Sequence, residues 1–190
     1  MNKKELRKIY KEKRTALSDI EKMKMDDLLL IQLQRVPLNY SVQYLMSYWP
    51  LDHQGEPNTH LFERYLQHAI PALQIAYPVS DFSTGEMYAI VVNEETRFKD
   101  NHLAIAEPET GEKIIPEDLD IIFVPLLAFD NNGYRVGYGK GFYDRFLQKC
   151  SENIITIGFS YFEPVSNIND KNQFDVPLNF CITPYKVYEF

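Results

Sequence analysis

Residues 119–129, LDIIFVPLLAF, form a nearly unbroken apolar run. A strand with one face in water alternates apolar and polar residues. A run without alternation belongs in a sheet covered on both faces, usually a parallel one with helices on either side. The rest of the chain supplies such helices. Residues 2–16 are rich in helix formers, and Ser18 with Glu21 fits a capping box for a second helix. In that helix Met25, Leu28, Leu29, Leu33 and Val36 make one apolar face, interrupted by Gln32. A strand is expected over 41–49, ended by Pro50 and DHQGEP, and a helix restarts with Asn58 or Thr59 as N-cap. Strands at 73–79 and 87–92 flank the turn SDFSTGE, whereas residues 93–118 read as polar loop. A helix over 140–150, a second buried strand over 153–162 and short β pieces around the prolines of 175–190 complete the chain. The expected fold is α/β: one domain over residues 1–190, a three-layer α/β/α arrangement with a mainly parallel central sheet and additional short β segments.

Directly after the apolar run, four of the eight glycines fall within residues 133–141, GYRVGYGKG, ahead of the helical FYDRFLQKC. Glycine lets backbone approach a ligand closely, and the N–H groups that open a helix bind anions. Arg135 adds a planar fork and Lys140 a point charge, both suited to phosphate. The familiar phosphate motifs do not apply. A P-loop needs Ser or Thr after Gly139-Lys140, where Gly141 stands, and a dinucleotide fingerprint from Gly137 and Gly139 would need glycine at Phe142. Asp144, one helical turn from Lys140, has the oxygen ligands that Mg²⁺ prefers.

The charge balance, 20 basic against 27 acidic residues for a net −7, argues against a general binder of nucleic acid or anionic membranes but leaves room for a local basic pocket. The apolar run is far shorter than the roughly 20 residues of a membrane-spanning helix. The charged N-terminus, MNKKELRKIYKEKR, has no signal-peptide core. A soluble, cytoplasmic protein is expected. Cys150 and Cys181 read as ordinary thiols, and His53, His60, His68 and His102 show no zinc-site spacing, so no transition metal is expected.

FDNNGYRVGYGKGFYDRFL resembles the signature of the 5-formyltetrahydrofolate cyclo-ligase family, F-D-x-x-G-x-R-L-G-x-G-x-G-Y-Y-D. KKELR and GEPNT are similar to its Lys-x-x-x-Arg and G-E-x-D-T elements, and LAIAEPE and DVPLN to further segments, so the resemblance spans the chain. It implies ATP- and Mg²⁺-dependent conversion of 5-formyltetrahydrofolate to 5,10-methenyltetrahydrofolate, with ADP and phosphate released. ATP would phosphorylate the formyl oxygen, and N10 would then attack the activated carbon. By the same resemblance Lys3, Lys4, Arg7, Gly133, Arg135, Gly137, Tyr138, Gly139, Lys140 and Gly141 would hold ATP, with Arg135 and Lys140 neutralising the charge of the transferring group. Glu56 would read the pterin, with Met46, Val136 and Tyr138 in the folate pocket. Asp144 and Asp175 would ligate Mg²⁺. The implied partners are the folate and ATP alone, acting on a monomer or weak homo-oligomer. Val136, Phe142 and Asn58 stand where the family commonly has leucine, tyrosine and aspartate.

Two other classes compete. A relative could bind nucleotide or folate without catalysis, although Arg135, Lys140 and Asp144 are all in place. A sugar-phosphate isomerase or CoA-transferase would need a carboxylate base or nucleophile, for which Glu56 and Glu107 are the candidates.

Overall fold

A computed structural model describes residues 1–39 and 41–190. Among them lie helices α1 (Lys3–Thr15), α2 (Asp19–Leu33), α3 (Thr59–Ala69) and α4 (Phe142–Leu147). The strands are β1 (Tyr44–Met46), β2 (Gln74–Asp81), β3 (Glu86–Val91), β4 (Phe98–Asp100), β5 (Ala106–Pro108) and β6 (Glu112–Ile114). They continue with β7 (Ile121–Phe123), β8 (Ala128–Phe129), β9 (Arg135–Val136), β10 (Ile155–Phe159), β11 (Phe180–Ile182) and β12 (Val187–Glu189). None of the described helices is long and apolar enough to cross a membrane.

The main sheet has the order β12-β11-β10-β7-β1-β2-β3-β6. Its five inner strands, β11 to β2, run parallel, and β12, β3 and β6 add antiparallel edges. The apolar run behaves as a doubly covered strand should. Ile121 and Phe123 pack with Leu29 and Leu33 of α2 and Phe62 and Leu66 of α3. Ile122 and Val124 pack on the other face with Phe146 and Leu147 of α4. Helices on both faces of a mostly parallel sheet make the three expected layers.

Both of the first helices start on capping boxes, Asn2 with Glu5 and Ser18 with Glu21. Other boundaries moved. The run 119–129 breaks at Pro125, which has no N–H for a ladder. Its second half, β8, pairs instead with β9 in a separate hairpin. Leu6 and Tyr10 of α1 pack on that hairpin through Leu127, Ala128 and Val136. The strand expected over 41–49 is only three residues long. Residues 93–118 hold three short strands. Their mostly exposed side chains, as in Phe98–Asp100 and Glu112–Ile114, gave no apolar pattern to read. The helix expected from 140 begins at Phe142, because Gly139 and Gly141 take φ of +93° and +71°, outside any right-handed helix. Lys140 therefore lies in the loop rather than on a helical face with Asp144.

In α2, Leu28 faces outward and Asp26 is buried instead, accepting hydrogen bonds from the Tyr161 hydroxyl at 2.8 Å and the Asn58 N–H at 3.2 Å. Burial outweighs those bonds and pushes Asp26 up to about 6 from 3.8. Between these values the folded state binds the proton more tightly than the unfolded chain. The stabilisation from protonation is thus full below about pH 4 and lost as pH rises through 6. Asp26→Asn keeps an acceptor oxygen without the buried charge. It is expected to raise the melting temperature at pH 8, by an amount corresponding to at most about 3 kcal/mol, and to lose that advantage by pH 4. Melting curves across this range check it.

Candidate active site

In an open parallel sheet, ligands bind beyond the carboxyl ends of the strands where the winding direction reverses. Here the chain passes from β1 to β2 on one side and later returns to lay β7 on the other side of β1, so the reversal lies between β1 and β7. A cavity of about 1070 Å³ opens there, with Tyr48 and Trp49 following β1 and Pro125 following β7 in its wall. The β8–β9 hairpin leads the glycine segment back over this opening.

Part of the cavity wall is cationic. The Arg7 Nε donates to the Gly137 carbonyl at 2.8 Å, and its guanidinium covers Gly139 so closely that a Cβ there would lie 3.2 Å from it. Arg135 is buried. It donates to the Val176 carbonyl at 2.6 Å and to Asp144 Oδ1 at 3.0 Å, and burial lowers its pKa despite the neighbouring Asp144 charge. Asp144 Oδ1 also accepts from the Val176 N–H at 3.2 Å. Lys3 pairs with Asp175 at 2.6 Å. Lys4 and Lys140 are exposed on the same wall, and among the described residues neither ammonium has an ion-pair partner. Arg145 ties the loop to the β2–β3 turn, donating to the Gly85 carbonyl at 2.7 and 2.9 Å and to the Lys140 carbonyl at 3.2 Å.

The wall also carries the apolar side chains of Trp49, Phe82, Met87, Leu103, Ile105 and Phe142 and one buried carboxylate, Glu56. Glu56 accepts from the Tyr138 hydroxyl and from the Leu51 N–H at 2.9 Å, and Arg14 stands 3.8 Å away. Burial raises its pKa, opposed by Tyr138 and Arg14. Tyr138 thus links the glycine loop to the carboxylate.

The fold therefore brings together Lys3, Lys4, Arg7, Glu56, Arg135, Gly137, Tyr138, Gly139, Lys140, Gly141, Asp144 and Asp175 around one cavity. Three expected residues lie outside its wall. Met46 is fully buried in the sheet face under α4, and Val136 under α1, because alternation along β1 and β9 turns them inward. Gly133 sits in the β8–β9 turn at φ +79°, where a Cβ would meet the Phe190 ring at 2.8 Å. It serves the turn and the packing of the chain end. Arg14 was missed. It donates to the Leu126 carbonyl at 2.5 Å and lies on the buried stripe Leu6, Tyr10, Arg14. An arginine at i+8 on an apolar stripe was the available signal.

Gly137 differs from its neighbours. Its φ is not positive, and a Cβ would meet nothing nearer than the Pro125 carbonyl at 3.9 Å. The fold has no need of glycine there, but the cavity wall does if a ligand approaches the backbone. Gly137→Ala is expected to leave the melting temperature within about 1 °C, since surface changes stay within about 0.5 kcal/mol, while affinity for the ATP that the sequence resemblance implies falls. Calorimetry and titration on one preparation separate the two.

The profile of the 5-formyltetrahydrofolate cyclo-ligase family matches residues 1–184. The chain is 28% identical over 183 residues to the 5-formyltetrahydrofolate cyclo-ligase of Mycoplasma genitalium, covering 95% of this chain and 98% of that one. The Escherichia coli cyclo-ligase is 32% identical over 112 residues, 57% of this chain and 62% of that one. Among solved structures, the 5,10-methenyltetrahydrofolate synthetase of Aquifex aeolicus superposes with a TM-score of 0.80 at 30% identity, over 100% of this chain and 93% of the other. That of Mycoplasma pneumoniae gives 0.75 at 26%, over 96% and 98%. Profile, relatives and fold agree, and the chain belongs to the 5-formyltetrahydrofolate cyclo-ligase family of ligases.

Proposed function

We propose that the protein uses ATP and Mg²⁺ to close 5-formyltetrahydrofolate to 5,10-methenyltetrahydrofolate. The observation that carries this reading is one cavity whose wall combines cations and glycine backbone with apolar side chains and a buried carboxylate. The cations and glycines suit a triphosphate. The apolar side chains suit a pterin, whose N–H groups would donate to Glu56 while its rings lie against Trp49, Phe82 and Phe142. The reaction needs two substrates in contact and the charge of a phosphoryl group neutralised, which positioned backbone and cations supply without a protein nucleophile.

Gly137, Gly139 and Gly141 would let the triphosphate lie on backbone, with Lys3, Lys4, Arg7 and Lys140 around it. Arg135 would face the transferring group from the buried side. Mg²⁺ would be held by Asp144 and Asp175, supplying charge neutralisation. The donor set fits, because both are half-buried carboxylates on the cavity wall and Mg²⁺ favours one or two such oxygens beside phosphate and water. Among the described residues no group of three or more His, Cys, Asp or Glu is arranged to hold a metal ion. Each carboxylate now pairs with a cation, Asp144 with Arg135 and Asp175 with Lys3. Nucleotide with its metal would let the cations turn to phosphate and the carboxylates to Mg²⁺. The reading carries with it work in the cytoplasm as a monomer or weak homo-oligomer. A binding relative without catalysis is the alternative.

Mixing protein, 5-formyltetrahydrofolate, ATP and Mg²⁺ is expected to give the near-ultraviolet absorbance of the methenyl product together with ADP. Omitting nucleotide or chelating the metal should abolish both. Product formed equally well without ATP would remove the ATP-dependent mechanism. Binding of both ligands without ADP release would favour the non-catalytic relative.

A further inference from the structure

The indole of Trp49, part of the cavity wall, rests on a cluster that is polar as well as aromatic. Glu63 of α3 lies at its centre, buried and outside the cavity wall. The Glu63 Oε2 accepts from the Tyr77 hydroxyl of β2 at 2.7 Å, and His60 Nδ1 stands 3.1 Å from that oxygen and 3.2 Å from the Tyr77 oxygen. With the tyrosine proton committed to Glu63, both oxygens act as acceptors toward His60, which assigns the ring proton to Nδ1. Glu63 Oε1 is buried with no hydrogen-bond partner among the described residues. A half-satisfied carboxyl group in a protein interior costs stability, and an apolar side chain of similar size often would not. The groups bonded to Glu63 give it a use. Both touch Trp49: the His60 ring stands at 75° to the indole with centroids 4.7 Å apart, and the Tyr77 ring lies 5.9 Å away. Phe98 of β4 completes the socket at 4.9 Å. The Thr59 hydroxyl, next to His60, donates to the Tyr48 carbonyl at 2.8 Å and ties the backbone just ahead of Trp49 to the start of α3. Apolar packing has no preferred direction, whereas hydrogen bonds from α3 and β2 to one oxygen fix both ring planes.

We propose that His60 is a positioning residue: locked by Glu63, its ring holds the Trp49 indole in the orientation that meets the flat rings of the folate. This deepens the function proposed above and rests on it. His60 is itself outside the cavity wall, so it acts through Trp49. Trp49 is the only tryptophan of the chain, and its emission therefore reports its own setting.

His60→Ala is expected to raise KM for 5-formyltetrahydrofolate about 2- to 10-fold, the worth of one oriented aromatic contact. KM for ATP and kcat should stay near those of the parent. Trp49 emission, recorded without ligands, should move to longer wavelength and its anisotropy should fall, as the indole gains freedom and water. His60→Phe puts a ring back against the indole and should restore part of both the folate KM and the emission. Glu63→Gln keeps an acceptor for Tyr77 and loosens only the hold on His60. It should move the same two readouts in the same direction by less, and it carries the test if His60→Ala does not fold. Leu66→Ala, which opens the core under α3 without touching this cluster, should lower the melting temperature and leave folate KM and emission unchanged. Parent-like folate KM in His60→Ala would overturn the assignment and leave the ATP-dependent reaction standing. So would a raised folate KM with unchanged emission, since His60 would then not act through Trp49. Equal rises in both KM values, or the same changes in Leu66→Ala, would show a merely structural role and overturn it too. A parent protein with no ATP-dependent product would remove the underlying reading and this inference together.

Discussion

Lys140→Ala is expected to lower kcat by about 10²- to 10³-fold, the usual cost of removing one group aimed at charge that develops in the transition state. Except for Lys4 on α1, the cations in contact with the glycine loop or its carboxylates are committed elsewhere. Lys3 is paired with Asp175, Arg135 with Asp144, and Arg7 is bonded to the Gly137 backbone. Lys140 is exposed between Gly139 and Gly141, and among the described residues its ammonium has no ion-pair partner. Its charge is thus available to a phosphoryl group without first breaking a pair. For the same reason the fold should not notice its loss, and the melting temperature should stay within about 1 °C. Steady-state kinetics and thermal melting on one preparation decide the matter. A near-normal kcat with a normal melt would mean that the glycine loop is not where phosphoryl transfer occurs.

Arg14→Ala should give the largest loss of stability. Arg14 and Glu56 are both almost completely buried, and Arg14 also donates to the Leu126 carbonyl. Truncating Arg14 leaves a buried carboxylate without its cation and a buried carbonyl without its donor. Breaking a buried pair in this way costs about 3–5 kcal/mol, or about 10 °C in melting temperature for a chain of this size. Glu56→Gln introduced on top of Arg14→Ala should then cost little further, because the charge it removes is already unpaired. Denaturant unfolding of the two single variants and the double variant tests this. Fully additive losses would show that the two side chains act independently.

The layers of the fold were legible because the inner strands are apolar on both faces, as Ile121, Ile122 and Phe123 illustrate. Capping at Asn2 and Ser18 also follows from local chemistry that tertiary structure does not override. Less legible were the pieces whose pairing is set by distant partners. Residues 98–108 form a hairpin with little apolar pattern, and β8 leaves the main sheet only because Pro125 interrupts it. At the site, the glycines, Arg135, Lys140 and Asp144 announce themselves by clustering along the chain. Met46 and Val136 were misplaced because proximity in sequence to a site says nothing about which side of a strand faces it. Arg14 was missed for the opposite reason. Its importance lies in buried contacts that only the assembled structure reveals.

The contacts that hold α1 against the rest of the site join residues far apart along the chain. Arg7 reaches Gly137, Arg14 reaches Leu126, and Lys3 reaches Asp170 and Asp175. During synthesis the first helix leaves the ribosome long before any of these partners exists. Residues emerge at roughly 5–20 per second, so Lys3 waits on the order of ten seconds or more for Asp175. Throughout that interval α1, with its apolar stripe of Leu6 and Tyr10, has no hairpin on which to dock. A nascent chain halted before residue 126 therefore lacks every one of these partners for α1. The contacts that frame the cavity are thus completed stepwise and late, the last of them only when Asp175 has emerged.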